Sequence, residues 1–233
     1  NSDVCSSDLP AEFENQKPTG ANPIDRFILA KLHERGLSLG PEADKLALIK
    51  RAYFDLIGLP PSRDEIEDFV ADHQPDAFER VLDRLLASPH YGERWGRHWL
   101  DAAGYADSDG NGIHDHDRPW AYKYRDWVIR SLNDDKPIDE FIVEQLAGDE
   151  FLNGKFGNLT PDQIEKLTAT GFLRMVADGT AGAANSEEAM NAVVADTLKM
   201  VGASLLGLTV GCAQCHNHRY DPIPQADYYR LRA

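Results

Sequence analysis

The sequence predicts an all-α protein: a multi-helix domain with long irregular loops. Apolar residues recur at the three- and four-residue spacing of a buried helix face, as in Ile24, Phe27, Ile28 and Leu32. Alternation with a period of two, which is typical of a half-buried strand, is almost absent. With 233 residues, of which 42% are hydrophobic, the chain is also long and apolar enough to bury a core.

The first helices are predicted from this periodicity together with start and stop signals. Asn22 and Pro23 form a cap and first position, and Gly36 ends that helix. A second helix over 45–57 is followed by a third near 63, whose cap Ser62 has Glu65 in the reciprocal position of a capping box. The remaining helices are predicted near 76–86, 90–103, 120–132, 138–146, from 161 after the cap Thr160, and over 186–206.

Residues 1–21 are predicted to be a non-native or disordered lead-in. Asp3–Leu9 matches the translation of a common sequencing-adapter oligonucleotide, and the residues after it are polar. The helical domain is therefore expected over 22–233, as a piece of a longer protein that stops within an element. If Cys5 is not native, the remaining cysteines are Cys212 and Cys215.

Charge narrows the classes of partner. The formal net charge of −15 argues against nucleic-acid binding and against docking on an anionic membrane surface. The most apolar stretch, 192–212, contains Asp196 and Lys199, so we predict a buried core helix and no transmembrane segment. Cationic partners, metal ions and neutral substrates remain open.

The motif with the clearest chemistry is Cys212-Ala-Gln-Cys215-His216, the attachment signature of c-type haem. Two thiols at this spacing reach the two vinyl groups of the porphyrin, and His216 supplies the proximal iron ligand. Two alternatives stay open. The cysteines could form a disulfide or carry other thiol chemistry, or they could bind zinc in a mixed set with His218 and Asp221.

A second haem ligand and a calcium site have weaker candidates. His98, in an aromatic helix, is the preferred distal ligand, against the alternative of a histidine bonded within its own helix. Asp107, Asp109 and Asn111 open like a calcium-binding loop, but Arg118 occupies the position where a bidentate Glu is expected. A solvated acidic turn is the alternative.

The same acidic loop supports a further hypothesis. Its carboxylates and its histidines, His114 and His116, could join the region 216–221 in one polar cleft, as in an enzyme whose metal is not haem. The aromatic residues just after the loop are Trp120, Tyr122, Tyr124 and Trp127. They predict core packing, with a haem-pocket wall or a sugar-stacking surface as the alternatives.

Blocks of sequence over 22–233 resemble a planctomycete cytochrome-c-type family of exported proteins of unknown function. The blocks include NPIDRFIL, LIGLPP, SPHYGERW, RPWAY, QLAGD and GLTVGCAQCH. The resemblance implies bound haem, a periplasmic or otherwise exported location, and flanking domains on both sides.

Three functions are expected in order. The first is a haem c domain that transfers electrons to an envelope redox partner. The second is a haem- or metal-dependent enzyme acting on an extracellular substrate, such as a polysaccharide. The third is a calcium-braced binding domain with a Cys212–Cys215 disulfide.

Overall fold

The computed structural model describes residues 23–110, 115–152, 154, 156–178 and 187–233. Across these residues the regular structure is helical, and the only strand-like pairing is an isolated antiparallel bridge between Ser108 and Asp117. The predicted all-α fold is confirmed. The described α-helices are Pro23–His33 (α1), Lys45–Leu56 (α2), Arg63–Ala71 (α3), Ala77–Leu86 (α4), Pro89–Ala103 (α5), Ala121–Asn133 (α6), Ile138–Ala147 (α7), Pro161–Ala169 (α8), Glu187–Val201 (α9) and Gln225–Arg232 (α10).

The helix starts follow the predicted capping signals. The Ser62 hydroxyl accepts a hydrogen bond from the Glu65 amide at 3.3 Å, and Glu65 returns a carboxylate oxygen to the Ser62 amide at 2.8 Å. Thr160 and Gln163 form the same reciprocal pair at the start of α8. The predicted lead-in 1–21 and the cap Asn22 lie outside the described residues.

Several elements were not predicted. α10 is one, and short 3₁₀ turns over Glu150–Leu152, Thr170–Arg174 and Val210–Gln214 are the others. The long helix predicted over 186–206 divides in two, because α9 ends at Val201 and a π-helical turn, Gly202–Leu206, continues it.

The described residues divide into two compact units, one ending at Ala47 and one running from Leu48 to Ala233, with the boundary inside α2. In the first unit, α1 ends in a turn at Gly36, whose φ of 66° suits glycine. Lys31 and Glu34 form an exposed ion pair at 3.0 Å beside that turn.

The second unit contains two apolar cores. One is built by α2, α3 and α4 around Ile49, Tyr53, Phe69 and Val81. The other draws on α5 to α8 and the turn after α8, and its largest buried side chains include Trp127 and Phe172. The second core is the one that adjoins α9, through Met200 and Val201.

Helices α5 and α6 approach closely because α5 carries glycine at the crossing. A Cβ built at Gly92 would overlap the carbonyl oxygen of Ile129, and the Gly92 amide donates to Oδ1 of Asn133 at 2.7 Å. Gly96, one turn later, meets the Ile129 side chain. Since no larger residue fits at Gly92, this crossing fixes where the C-terminal half of α5, including His98, stands.

Candidate functional site

The Cys-x-x-Cys-His motif lies in the 3₁₀ turn Val210–Gln214 and the residues that follow it. The chain reaches this turn by reversing at Gly207, whose φ is 64°. Gly202 makes the reversal tight, because a Cβ there would clash with Val210. Val210 and Ala213 are buried and anchor the turn against the fold. Glycines in the sequence therefore set the position of the motif.

Both cysteine thiols are free and exposed. Cys212 lies in the 3₁₀ turn and Cys215 follows it directly as the C-cap, and side chains three residues apart in such a turn fall on the same side. Ala213, which lies between them in the sequence, is fully buried. The backbone of the turn therefore packs against the fold, and the two thiols are exposed to solvent. The turn therefore presents two free thiols at the surface, with no disulfide between them.

His216 is exposed, and its ring has a defined tautomer. Nδ1 lies 2.7 Å from the carbonyl oxygen of Asn217. A carbonyl oxygen can only accept a hydrogen bond, so Nδ1 carries the proton and Nε2 keeps the lone pair of the neutral ring. This is the arrangement found in metal-binding histidines, where a bond to one nitrogen orients the other.

His218 is used differently. Nδ1 accepts hydrogen bonds from the amides of Asp221 at 2.8 Å and Tyr220 at 3.3 Å. Nε2 therefore carries the proton and donates to the Thr209 hydroxyl at 3.1 Å. The side chain is 7% exposed, and the Asp221 carboxylate lies 3.4 Å from Nδ1. Both ring nitrogens are engaged in shaping the loop, so the geometry does not support His218 and Asp221 as zinc ligands.

Helix α10 clamps the motif from its C-terminal side. The carbonyl oxygen of Gln214 accepts hydrogen bonds from Nε2 of Gln225 at 3.0 Å and from the Tyr229 hydroxyl at 3.2 Å. Oδ1 of Asn217 accepts the Gln225 amide at 2.9 Å. These contacts were not predicted, because a main-chain acceptor carries no sequence signal.

His98 contacts a different set of side chains from those around the Cys-x-x-Cys-His motif. Its ring contacts Trp95 edge-on, with centroids 5.5 Å apart, and it lines a pocket of about 330 Å³ formed by α5, α6 and α7. The lining of this pocket does not include Cys212, Cys215 or His216. The motif itself packs on α9 and α10. The structure therefore does not bring His98 and the motif into one pocket.

The acidic loop after α5 is braced by its own carboxylates. Oδ1 of Asp107 accepts a hydrogen bond from the Tyr105 hydroxyl at 2.6 Å, and Oδ1 of Asp109 accepts from the His116 amide at 3.2 Å. Burial and, second, the Asp107 carboxylate raise the pKa of Tyr105 to about 12. Asp115 likewise accepts the Gly110 amide at 2.9 Å. The hydrogen bonds of Asp109 and Asp115 hold the two described ends of the loop together beside the bridge between Ser108 and Asp117.

The loop is also joined to the segment that follows α8. The Asp178 amide donates to the carbonyl oxygen of Asp109 at 2.8 Å, and the Arg118 guanidinium donates to the carbonyl oxygen of Val176 at 2.7 Å. Asn111 and His114, both assigned to possible sites in this loop, lie outside the described residues. The contacts shown connect the loop to 175–178 and not to 216–221, so they give the common polar cleft no support.

No group of three or more His, Cys, Asp or Glu side chains that could hold a metal ion is found among the residues that the structure describes. The side chains of the motif thus do not form a complete cage by themselves. A haem iron needs fewer ligands from the protein than a bare metal ion does, because the porphyrin supplies four of the iron ligands.

One stretch in the described part of the chain, Glu187–Leu206, is long and apolar enough to cross a membrane by length and composition. In its most apolar window only 17% is buried, so this stretch is not the buried core helix that the sequence predicted. Here α9 packs on α5 and α10. Lys199 pairs with Asp196 at 2.8 Å on its surface.

The aromatic residues after the loop fall into two groups. Tyr124 and Trp127 are buried and stack within the second core, which confirms core packing for these two. Trp120 is 66% exposed and lines a separate cavity of about 560 Å³ with residues of α6, α8 and the following turn. The shared helical spacing did not distinguish them.

Comparison with known proteins supports a family assignment over almost the whole chain. The chain has no match among curated proteins and none among solved structures. Residues 23–233 match the family PSCyt2, which is described as a protein of unknown function (DUF1549). This span includes every described helix, together with the Cys-x-x-Cys-His turn. The chain therefore belongs to the PSCyt2 family.

Proposed function

We propose that this chain is a c-type haem-binding domain that carries its haem on Cys212, Cys215 and His216. Each thiol would add across one porphyrin vinyl group, the sulfur bonding to one vinyl carbon and the hydrogen going to the other. Nε2 of His216 would bind the iron. When bound, the haem supplies one-electron chemistry at a potential that its axial ligands and surroundings set.

The observation that carries this proposal is the state of the three side chains. The two thiols are free and exposed at one turn, and a hydrogen bond from Nδ1 of His216 to the Asn217 carbonyl oxygen leaves Nε2 as the nitrogen for a metal. His218, by contrast, has both ring nitrogens hydrogen-bonded within the loop.

Electron transfer to an envelope redox partner is the activity that we propose for the haem, with an exported location in a planctomycete-type cell. The sequence blocks quoted above and the acidic surface, with a formal net charge of −15, support this setting. An acidic carrier attracts basic patches on a redox partner over distances of about 10 Å at moderate ionic strength.

The test is production of the chain, directed to the periplasm of a host that contains a c-type maturation system. The purified protein is run on a denaturing gel, stained for haem and examined by the pyridine haemochrome spectrum. We expect covalent haem in the wild type and a spectrum shifted in Cys212→Ala or Cys215→Ala, each of which leaves a single thioether. The double variant should lose the stain.

His216→Ala tests the proximal ligand, and His90→Ala is its matched control, because His90 is also exposed and lies far along the sequence from the motif. We expect haem loss or a high-spin spectrum in the first and no change in the second. Folded wild-type protein without haem stain, from a host that matures a known cytochrome in parallel, would disprove the proposal.

The spectrum of the iron separates electron transfer from catalysis. Six-coordinate low-spin haem agrees with electron transfer, whereas an open sixth position favours an enzyme acting on an extracellular substrate. His98→Ala should leave the spectrum unchanged if the pocket around His98 is separate from the haem, as its lining indicates.

A further inference from the structure

The cavity beside Trp120 has the features of a ligand site that is independent of the Cys-x-x-Cys-His turn. It measures about 560 Å³, which is within the usual range for small-molecule pockets, and its lining combines apolar side chains with several charged ones. We infer that this cavity binds an acidic saccharide: a pyranose ring stacked on Trp120, with its acid group directed to Arg118 and Lys123.

Trp120 is the platform. An indole is among the most costly side chains to leave in water, and this one is 66% exposed. It directly precedes α6, where Pro119 fixes the backbone and the Ala121 amide donates to the carbonyl oxygen of Arg118 at 3.0 Å. The backbone that carries the ring is therefore held in a turn. The negative face of an indole attracts the C–H bonds on one side of a sugar ring.

The charged side chains that line the cavity favour an acidic ligand. Arg118, Lys123 and Arg174 line the cavity, against a single acidic lining residue, Asp117. This surplus of cations is notable in a chain whose formal net charge is −15. The Lys123 ammonium lies over the Trp120 ring, 4.7 Å from its centre, so this flexible side chain would move aside for a stacked sugar and pair with the sugar's carboxylate or sulfate.

Arg118 and Arg174 differ in how their charges are met. The Arg118 guanidinium donates to the carbonyl oxygens of Val176 at 2.7 Å and Met175 at 3.3 Å, which orient it without neutralising it. Arg174 pairs with Asp178 at 2.6 Å. Arg118 and Lys123 are therefore the cations that we assign to the acid group.

Two threonine hydroxyl groups in the cavity lining can accept hydrogen bonds from a sugar. Thr168 donates its proton to the carbonyl oxygen of Ile164, and Thr170 donates to that of Leu167, each at 2.7 Å. Both threonines line the cavity. Because each hydroxyl already donates, its oxygen is left as an acceptor, and sugar hydroxyl groups are donors. An apolar ring face, hydroxyl donors and one acid group are together the chemistry of an acidic sugar.

The test is isothermal titration calorimetry on the full chain with three trisaccharides: a uronic-acid trimer, a sulfated hexose trimer and a neutral glucose trimer. We expect at least one acidic trimer to bind about tenfold or more tightly than the neutral one. Which acidic trimer binds identifies carboxylate or sulfate as the acid group. Raising the salt concentration should weaken acidic binding and leave any neutral binding unchanged.

Single substitutions test whether the saccharide binds in the cavity beside Trp120. Trp120→Ala should weaken binding by about tenfold, and Trp95→Ala, which removes another exposed indole, should have no effect. Lys123→Gln should weaken the acidic trimer by about threefold or more without affecting the neutral one. Circular dichroism confirms that each variant folds.

Two results would overturn the inference. One is failure of the folded protein to bind any acidic trimer, or equal binding of acidic and neutral trimers. The other is acidic binding that survives Trp120→Ala unchanged. The haem stain is measured on the same preparations, so loss of haem and loss of saccharide binding are separate results.

Discussion

The hydroxyl of Tyr124 donates a 2.7 Å hydrogen bond to Oε1 of Gln145, a side chain with no exposed surface. Trp99 donates its indole N–H to the same oxygen at 3.0 Å and to the Tyr124 hydroxyl at 2.9 Å. The amide of Gln145 then donates to the carbonyl oxygen of Phe141. Burial raises the pKa of Tyr124, so the phenol stays protonated and continues to donate.

This network predicts a cost for removing its acceptor. Gln145→Leu preserves most of the volume but leaves the Tyr124 hydroxyl without an acceptor, which should lower the free energy of unfolding by about 1–3 kcal/mol. Adding Tyr124→Phe removes the stranded hydroxyl as well, so the double variant should lose less than the sum of the two single variants. Urea unfolding measures all three. Strict additivity would show that the three side chains do not act as a network.

The close crossing of α5 and α6 predicts that Gly92→Ala is strongly destabilising. The new Cβ would overlap the Ile129 carbonyl oxygen and displace Asn133, so we expect a loss of about 3 kcal/mol or more. Gly157→Ala is the control, because a Cβ there meets open space. Thermal denaturation compares them. Equal midpoints would mean that α5 shifts without penalty.

The two histidines near the motif are predicted to separate stability from haem binding. His218→Ala removes the acceptor for two amides, so the unfolding free energy should fall by about 1–3 kcal/mol. Haem content per folded molecule should stay at the wild-type level, since His218 has no free nitrogen for iron. Haem loss at unchanged stability would instead identify His218 as a ligand.

The Tyr105 phenol is predicted to lose its proton at a higher pH than an ordinary tyrosine does. Its pKa of about 12 in the folded protein lies above the ordinary value of 10.0, chiefly because of burial and then because of Asp107. A raised folded pKa gives stability that is fully present below about pH 10 and lost as the pH rises towards 12.

The measurement is the ¹³Cζ chemical shift of labelled tyrosine followed through an alkaline titration. Asp107→Asn should lower the Tyr105 pKa part of the way towards 10.0, because the contribution of burial remains. Asp101→Asn, which alters a carboxylate paired with Arg97, should not change it. An unchanged pKa in Asp107→Asn would contradict the role of this carboxylate.

The helices were predictable because their signals are local. Periodicity placed α2, α5 and α6, and the capping pairs at Ser62 and Thr160 marked the starts of α3 and α8. The motif was equally visible, since its chemistry depends on spacing within five residues. α10 was missed because its sequence, QADYYRLR, has little amphipathic contrast, and it is held by contacts with distant residues.

The assignment of side chains within the site was not predictable. Both His216 and His218 were candidate metal ligands in the sequence, and only the fold shows that Thr209 and the turn after 218 engage both ring nitrogens of His218. Trp120 and Tyr124 share a helix face by spacing. Trp120 nonetheless lies outside the core because it precedes the first turn of α6, where Pro119 redirects the chain. Such outcomes depend on the path of the backbone between elements.

The clamp on the Gln214 carbonyl has a practical consequence for choosing where to shorten the chain. A version ending just after His216 would keep all five motif residues but lose Gln225 and Tyr229, the two side chains that bind that carbonyl oxygen. A peptide that ends at His216 would therefore contain the five motif residues without the hydrogen bonds that hold their backbone in place. A shortened version must therefore extend through Tyr229 in α10 to retain both of these hydrogen bonds.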